Sequence, residues 1–179
     1  RGITVKNPFA LESAGMVDTV VFEDTDLLTI TPRHMVASVL CQGRGSENHI
    51  LMLAATCVQN NEGPIADAIR KEAADRDLEI RNATDFVKYA CRMGKNKILV
   101  GNRKLMMQRN LLTGRWIAKE RELIHLGQYP VFVADNHSLV GSIGIRPVMK
   151  ESTVPAVEAI RETGVGQLDI LTEEKKELV

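Results

Sequence analysis

An apolar strand that breaks off into a cluster of acids constrains the fold of this chain more than any other stretch. It reads Asp18-Thr-Val-Val-Phe-Glu-Asp-Thr-Asp-Leu-Leu-Thr29. The β-branched run at residues 19–22 predicts a buried parallel strand, because strands covered on both faces are continuously apolar. Glu23, Asp24 and Asp26 then place carboxylates at the carboxyl end of that strand, where open α/β sheets bind ligands. The sequence therefore predicts an α/β unit with an acidic turn.

The composition indicates a globular chain without a strongly charged surface. Among 179 residues, 44% are hydrophobic, and 23 basic side chains balance 23 acidic ones. This apolar content supports a sizeable core, and the zero formal charge gives no attraction to nucleic acid or anionic lipid. Three cysteines without a Cys-x-x-Cys pair indicate buried thiols, and the four histidines lack metal-ligand spacing. We therefore expect no nucleic-acid partner and no metal centre built from cysteine and histidine.

The middle of the chain, residues 33–145, reads as an α+β insert. Helices are predicted at 46–60, 65–77, 104–109 and 115–126, with Ser46 as an N-cap and Pro64 at a first helical position. One predicted hairpin joins strands 86–93 and 97–100, and a second joins strands 129–134 and 139–145. Upstream, a short β run at 27–30 is closed by Pro32, and another spans 36–40. Tight turns between strands predict an antiparallel sheet of about six strands covered by helices.

After Pro147 the pattern returns to α/β. Residues 150–163 predict a helix with Val154, Val157 and Ile160 turned inward, and residues 168–171 predict a short buried strand. The predicted division is therefore discontinuous. Residues 1–32 and 146–179 form one partial domain, and residues 33–145 form the inserted one.

Several of these motifs together resemble the P-type ATPases, nearest to the heavy-metal-transporting branch. Gly2-Ile-Thr-Val-Lys, Ala10-Leu-Glu and Val17-Asp-Thr-Val-Val-Phe are similar to the entry of that family's phosphorylation domain. The resemblance covers essentially the whole chain. It implies a partial haloacid-dehalogenase-like Rossmannoid phosphorylation domain that carries an inserted antiparallel-sheet nucleotide-binding domain.

The acidic turn departs from the family's phosphorylation motif. The family has Asp-Lys-Thr-Gly-Thr-Leu-Thr where this chain has Glu23-Asp-Thr-Asp-Leu-Leu-Thr29. Glu23 stands at the phosphate-accepting aspartate, Asp24 at the lysine and Asp26 at the glycine. The extra acids disfavour an approaching phosphoryl group, because two unit charges ~4 Å apart repel by about 4 kcal/mol at an effective dielectric of ~20. We therefore predict impaired catalysis, with Glu23, Asp24 and Asp26 as the catalytic candidates.

Two other interpretations of the acidic turn stay open. In a shifted register, Asp24-Thr25-Asp26 fits the Asp-x-Asp core of haloacid-dehalogenase-type phosphatases, which would make the chain a phosphatase fragment. Three acids within four residues also suit a Mg²⁺ or Ca²⁺ ion, which prefers oxygen ligands.

The nucleotide-binding motifs are better preserved. The family's Ser-Glu-His-Pro-Leu-Ala corresponds to Asn61-Glu-Gly-Pro-Ile-Ala66, so Glu62 and Pro64 match while Gly63 replaces the histidine. Gly101 and Asn102 match the next motif, in which both residues line the pocket. The family's Gly-x-Gly loop is missing between residues 86 and 94. The alternative for Gly101 and Asn102 is a hinge glycine and a helix-capping asparagine.

The resemblance implies a cytosolic ATP-binding and phosphorylation-domain fragment at the cytoplasmic face of a membrane, soluble in itself and excised from a larger transporter. Its expected ligands are ATP, bound weakly or not at all, and Mg²⁺. Its expected partners are nucleotide, the transmembrane part of a parent transporter and, through the incomplete phosphorylation domain, a second copy of itself. The contrasting hypothesis is a non-enzymatic regulatory or assembly module that keeps the fold.

Overall fold

The computed structural model describes residues 4–22, 29–43 and 45–171, so Glu23, Asp24 and Asp26 lie outside the described residues. The described chain divides into two compact units. One contains the residues up to Thr29 together with those from Met149 onwards, and the other runs from Ile30 to Val148. In chain order the elements are α1 (Pro8–Ala14), β1 (Thr19–Phe22), β2 (Thr29–Cys41), α2 (Glu47–Cys57), α3 (Pro64–Asp75), β3 (Thr84–Val87), β4 (Ala90–Met93), β5 (Asn96–Gly101), α4 (Arg103–Gln108), α5 (Gly114–His125), β6 (Tyr129–Asp135), β7 (Ser138–Met149), α6 (Thr153–Glu162) and β8 (Gln167–Ile170).

The larger unit is built on a six-stranded sheet in the order β2-β7-β6-β5-β4-β3. The pairs from β3 to β7 are antiparallel, with Val100 opposite Val133 and Val131 opposite Ile143. Asn136 and His137 connect β6 to β7, close to the predicted hairpin turn. The predicted antiparallel sheet of about six strands is therefore confirmed.

Alternating residues of β5 send their side chains to two different cores. Ile98 and Val100 are buried in a large cluster with α2 and α3. Leu99, between them, packs instead against a smaller cluster that contains Met106 of α4 and Trp116 of α5. Because successive side chains of a strand point to opposite faces, helices cover both faces of this sheet. The Trp116 ring stands edge-on to Phe132, with centroids 6.4 Å apart.

Helix α2 is the most deeply buried element of the larger unit. All eight residues from Ile50 to Cys57 are buried, including Leu51 and Ala54 at 0% exposure. The apolar residues Ile50, Leu51, Leu53, Ala54 and Val58 predict a single apolar stripe along this helix, and that prediction is wrong, since the helix is enclosed on all sides. Ser46 does occupy the N-cap position, but its side chain makes no capping hydrogen bond. Pro64 begins α3 as predicted.

The smaller unit contains a two-stranded parallel sheet, in which Thr19 pairs with Gln167 and Phe22 with Ile170. The predicted parallel arrangement is confirmed, but the prediction that both strands are buried is wrong. Val21 is 56% exposed and Ile170 is 39% exposed. In the described part of the chain this sheet has only two strands, too few to support a covered sheet interior. On α6, Val154 is 57% exposed instead of turned inward, whereas Thr153 is buried.

Two strand boundaries also differ from the sequence prediction. The predicted strand at 86–93 is two strands, because Lys88 and Tyr89 form a turn between β3 and β4. The predicted break at Pro32 does not occur, since β2 is continuous through it. Strand β2 lies at the edge of the sheet, which is where proline within a strand is tolerated. None of the helices in the described ranges combines the length and apolar character that a bilayer crossing requires.

Gly141 tests the close approach of α2 to the sheet. A Cβ atom at this β7 position would lie 2.5 Å from Ile50 Cγ2 and 2.8 Å from the Leu40 carbonyl oxygen. We expect Gly141→Ala to lower the free energy of unfolding by about 1 to 3 kcal/mol through overpacking. Gly114→Ala is the control, because a Cβ atom there meets nothing within 4 Å. Urea titration should show unchanged or higher stability for this control; equal effects of both variants would contradict tight packing at Gly141.

The cysteines provide a second test. Cys57 and Cys91 are buried, whereas Cys41 is half-buried. Burial raises the pKa of the Cys57 and Cys91 thiols, and contact between the two thiols raises that of Cys57 further. In the native state we expect a thiol-specific disulfide reagent to modify Cys41 first, because reaction requires an accessible thiolate. Reaction of Cys57 as fast as Cys41 would show that the core opens readily.

The raised pKa values also predict a pH dependence of stability. A thiol whose pKa is higher in the folded than in the unfolded chain contributes its full stability below the unfolded pKa, near 9.0. That stability is lost as the pH rises from this value toward the folded pKa. The free energy of unfolding should therefore fall above about pH 9, which is the ordinary pKa of a thiol. The loss should be smaller in Cys57→Val, which removes the titrating group. Denaturant titrations between pH 7 and 10 measure this difference, and an identical slope in both proteins would contradict it.

Candidate nucleotide-binding site

The predicted catalytic turn lies outside the described residues, and the structure describes only the segments on either side of it. Strand β1 ends at Phe22, and the amide of Leu171 donates a hydrogen bond of 2.7 Å to the Phe22 carbonyl. The candidates Glu23, Asp24 and Asp26 therefore stay predictions. Among the residues that the structure describes, no three His, Cys, Asp or Glu side chains converge as a metal site.

The loop that carries Glu62 is fastened to α3 by one arginine. Arg70 Nη1 donates to the Val58 carbonyl at 2.8 Å and also to the Asn61 carbonyl. Glu62 is exposed, and Pro64 is half-buried at the start of α3. Arg70 thus fixes the backbone at two points before Glu62. The Glu62 side chain stays exposed, where its carboxylate can accept hydrogen bonds from a ligand. No signal in the sequence pointed to Arg70.

Gly63 has a backbone conformation that other residues avoid. Its φ is 119° and its ψ is 162°, a region that is populated essentially by glycine alone. A side chain placed here would be strained even though the space around the Cβ position is empty. A histidine at this point, where the resembling family has one, would therefore carry backbone strain.

Gly101 and Asn102 form the turn between β5 and α4. Asn102 Oδ1 accepts a hydrogen bond of 3.1 Å from the Leu105 amide, which makes Asn102 the N-cap of α4. Gly101 is packed closely, because a Cβ atom there would lie 2.5 Å from Leu105 Cδ2. The capping alternative raised from the sequence is therefore correct for Asn102, and because the residue is exposed, its side-chain NH₂ remains available as a donor.

A shallow depression of about 500 Å³ lies beside this turn. Most of its lining surface consists of carbon atoms, and the side chains of Arg103 and Lys104 bring two positive charges to it. Of the four residues predicted to bind nucleotide, Asn102 is the one that lines it. The lining residues are Asn102, Arg103, Lys104, Met107 and Gln108.

Strand β3 and its connection to β4 each contain one non-glycine residue with a glycine-like backbone conformation. Asp85 and Lys88 have φ values of 53° and 49°, in the left-handed region. Asp85 is held by an ion pair of 2.8 Å with Arg92, and the Tyr89 carbonyl accepts from the Val100 amide at 2.8 Å. The family's Gly-x-Gly sequence is missing from residues 86–94, and the left-handed conformations of the non-glycine residues Asp85 and Lys88 lie beside and within this segment. Side chains at these positions restrict how closely a ligand approaches the backbone.

Comparison with known proteins places these features in context. No family model matches the chain. A probable copper-exporting P-type ATPase of Archaeoglobus fulgidus is 32% identical over 167 residues, which are 92% of this chain and 20% of that protein. A copper-exporting P-type ATPase of Bacillus subtilis is 28% identical over 169 residues. This chain therefore spans about a fifth of the length of the curated relatives that it matches.

Solved structures agree with the sequence relatives. A zinc-transporting PIB-type ATPase matches 94% of this chain with a TM-score of 0.77 and 26% identity, over 28% of its own length. The catalytic domain of the CPx-ATPase CopB-B has the same fold, with a TM-score of 0.64 and 19% identity over 97% of this chain and 61% of its own. The resemblance and the fold class predicted from the sequence are both confirmed.

Lys88 tests the strained connection. The left-handed conformation destabilises a non-glycine residue by roughly 1 to 2 kcal/mol, and a glycine there relieves this strain. Part of the gain, about 0.5 to 1 kcal/mol, is lost because glycine has more conformational freedom in the unfolded chain. We therefore expect Lys88→Gly to raise the free energy of unfolding by up to about 1 kcal/mol, measured by urea titration. Lys95→Gly is the matched control, since Lys95 lies in the next turn without a positive φ. It should lower stability, and the same sign for both variants would contradict strain at Lys88.

Proposed function

We propose that this chain, whose homologues are heavy-metal P-type ATPases, is the cytosolic nucleotide-binding domain and part of the phosphorylation domain of such a transporter. The observation that carries the proposal is the Gly101-Asn102 turn at the end of β5. It matches the family's motif in sequence, and it leaves the Asn102 amide exposed beside a depression. The proposed nucleotide-binding residues are Glu62, Pro64, Gly101 and Asn102. Transport of a cation, the transmembrane partner and the position at the cytoplasmic face of a membrane are parts of the same proposal.

The proposed domain division assigns residues 1–32 and 146–179 to the phosphorylation domain and 33–145 to the nucleotide-binding domain. It is supported by the two compact units, which change at Thr29/Ile30 and at Val148/Met149.

We propose that the chain binds ATP weakly and does not form an acyl phosphate. Weak binding is supported by Gly63, which lacks an aromatic ring for stacking, and by the side chains at Asp85 and Lys88. The proposed loss of phosphorylation rests on the sequence at Glu23, Asp24 and Asp26, where carboxylates replace the lysine and glycine. If Mg²⁺ binds, these three side chains are the proposed ligands, because Mg²⁺ prefers carboxylate oxygens.

A second candidate is a non-enzymatic assembly module, and one observation favours it. Apolar side chains of the smaller unit are exposed, among them Phe9 at 75%, Leu11 at 64% and Val21 at 56%. Where such side chains form a contiguous patch, the patch is typical of a surface that contacts another chain. Self-association would bury them against a second copy, and sedimentation at increasing concentration measures it.

Nucleotide affinity tests the proposed site. We expect a dissociation constant at least tenfold weaker than with an intact histidine and glycine loop, since a lost aromatic contact removes roughly 1 kcal/mol and each unpaired polar group about 1 to 3 kcal/mol. Titration calorimetry with ATP should show residual binding that falls in Glu62→Ala and in Asn102→Ala. Tight binding unaffected by Glu62→Ala would place the pocket elsewhere.

Restoring the missing histidine requires a matched control. Gly63→His and Gly63→Ala carry the same backbone strain of about 1 to 3 kcal/mol, so their difference isolates the imidazole. If Glu62 and Asn102 line a nucleotide pocket, Gly63→His should bind ATP more tightly than Gly63→Ala. Equal affinities would argue that no adenine reaches this loop.

Phosphorylation is tested separately. After incubation with labelled ATP and Mg²⁺ and an acid quench, the chain should carry no hydroxylamine-labile label, because the acidic turn repels the phosphoryl group. Label that disappears in Glu23→Gln would contradict the proposed loss of activity.

A further inference from the structure

Glu120 is the feature of the larger unit that the proposed site leaves unexplained. It lies on α5, and within the described ranges it is the only charged residue that is buried, with its side chain 7% exposed. A buried carboxylate is costly unless it is paired and hydrogen-bonded. Its partner is Arg103 Nη1, which donates to Glu120 Oε2. Arg103 directly follows the nucleotide candidate Asn102 and is 44% exposed.

The carboxylate is held on a rigid element. Trp116 is 3% exposed and lies four residues before Glu120, so both side chains project from the same face of α5. Trp116 packs against Phe132 of β6, whose exposure is 0%. The position of Glu120 is therefore fixed relative to the central strand of the sheet.

The arginine end of the pair is tied to the Gly101-Asn102 turn. Helix α4 has six residues and contributes one buried side chain, Met106, to the core. Arg103 lies three residues earlier on the same face, so the ion pair is a second attachment, at the opposite end of the helix. Leu105 lies between the two attachments. Its amide donates the capping hydrogen bond to Asn102 Oδ1, and its side chain lies against Gly101. A shift of α4 therefore moves both residues of the turn.

We propose that Glu120 is a positioning residue for nucleotide recognition. By holding Arg103, it sets the orientation of α4 and thereby places the Asn102 amide and the Gly101 backbone toward the nucleotide. This inference rests on the proposed function. Glu120 acts through Arg103 and does not touch the ligand.

The test compares two glutamates of the same helix in the 179-residue chain. Glu120→Gln keeps the shape and removes the charge, and it should weaken ATP binding by about tenfold, as expected for a lost hydrogen bond between charged groups. Glu122→Gln is the control, because Glu122 pairs with Lys119 at 3.7 Å and is 60% exposed. Its affinity for ATP should equal that of the wild type. Equal affinities for all three proteins would overturn the proposal.

A double-variant cycle separates positioning from general loss of stability. If Glu120 acts through Arg103, the double variant Glu120→Gln/Arg103→Gln should bind ATP no more weakly than Arg103→Gln alone. Additive losses would overturn the proposed route. If the change at Glu120 prevents folding, the more exposed Arg103 can be changed instead. Because Arg103 itself lines the depression, Arg103→Gln then tests the pair through the ligand-free amide signals of Gly101 and Asn102 rather than through ATP affinity.

Amide NMR spectra distinguish failure of this inference from failure of the proposed function. A wild-type chain that does not bind ATP contradicts the proposed nucleotide site, but the ligand-free spectra still test Glu120. The amide signals of Gly101 and Asn102 should move in Glu120→Gln and stay in place in Glu122→Gln. Unmoved signals together with a lower melting temperature would show that Glu120 only stabilises the fold, which overturns the proposal.

Discussion

The packing of α2 against the central sheet is the contact on which the larger unit depends. The helix is buried on every side from Ile50 to Cys57, and the missing side chain at Gly141 lets it approach β7. Its last turn reaches β5, where Cys57 Sγ donates to the Ile98 carbonyl at 3.8 Å. Since the Glu62 loop leaves from the end of α2 and the Gly101-Asn102 turn leaves from the end of β5, this core fixes the starting points of both candidate segments.

Much of this architecture could be predicted from local sequence signals. Pro64 begins α3, and the two hairpins follow from turn residues between β-branched runs, because these signals act over a few residues. The prediction failed where tertiary context decides. Lys88 and Tyr89 form a turn without glycine or proline, and Pro32 is accommodated because β2 is an edge strand. The exposure of Val21 and Val154 depends on which layers cover them, and periodicity does not record that.

The candidate site was predictable only in part. Motif resemblance makes Glu62 and Asn102 candidates for nucleotide binding, and the place of Asn102 before a helix predicts its capping role, which the structure shows. The ion pair of Arg103 with Glu120 joins residues 17 positions apart on different helices, so no sequence spacing announces it. Likewise, Arg70 fastens the Glu62 loop through backbone carbonyls, which have no signature in the sequence. Contacts of this kind position the recognisable residues and become visible only in the fold.

The strands at the two ends of the larger unit are neighbours. Leu40 lies against Gly141 and Ser38 against Gly144, so β2 and β7 run in opposite directions. The first residues of β2 and the last residues of β7 therefore meet at one end of the same strand pair. A chain that leaves and returns at adjacent points can be cut out without breaking its own core, because few contacts cross such a boundary. The segment from Ile30 to Val148 is thus suited to transplantation into another host protein, and its joined ends would tolerate circular permutation.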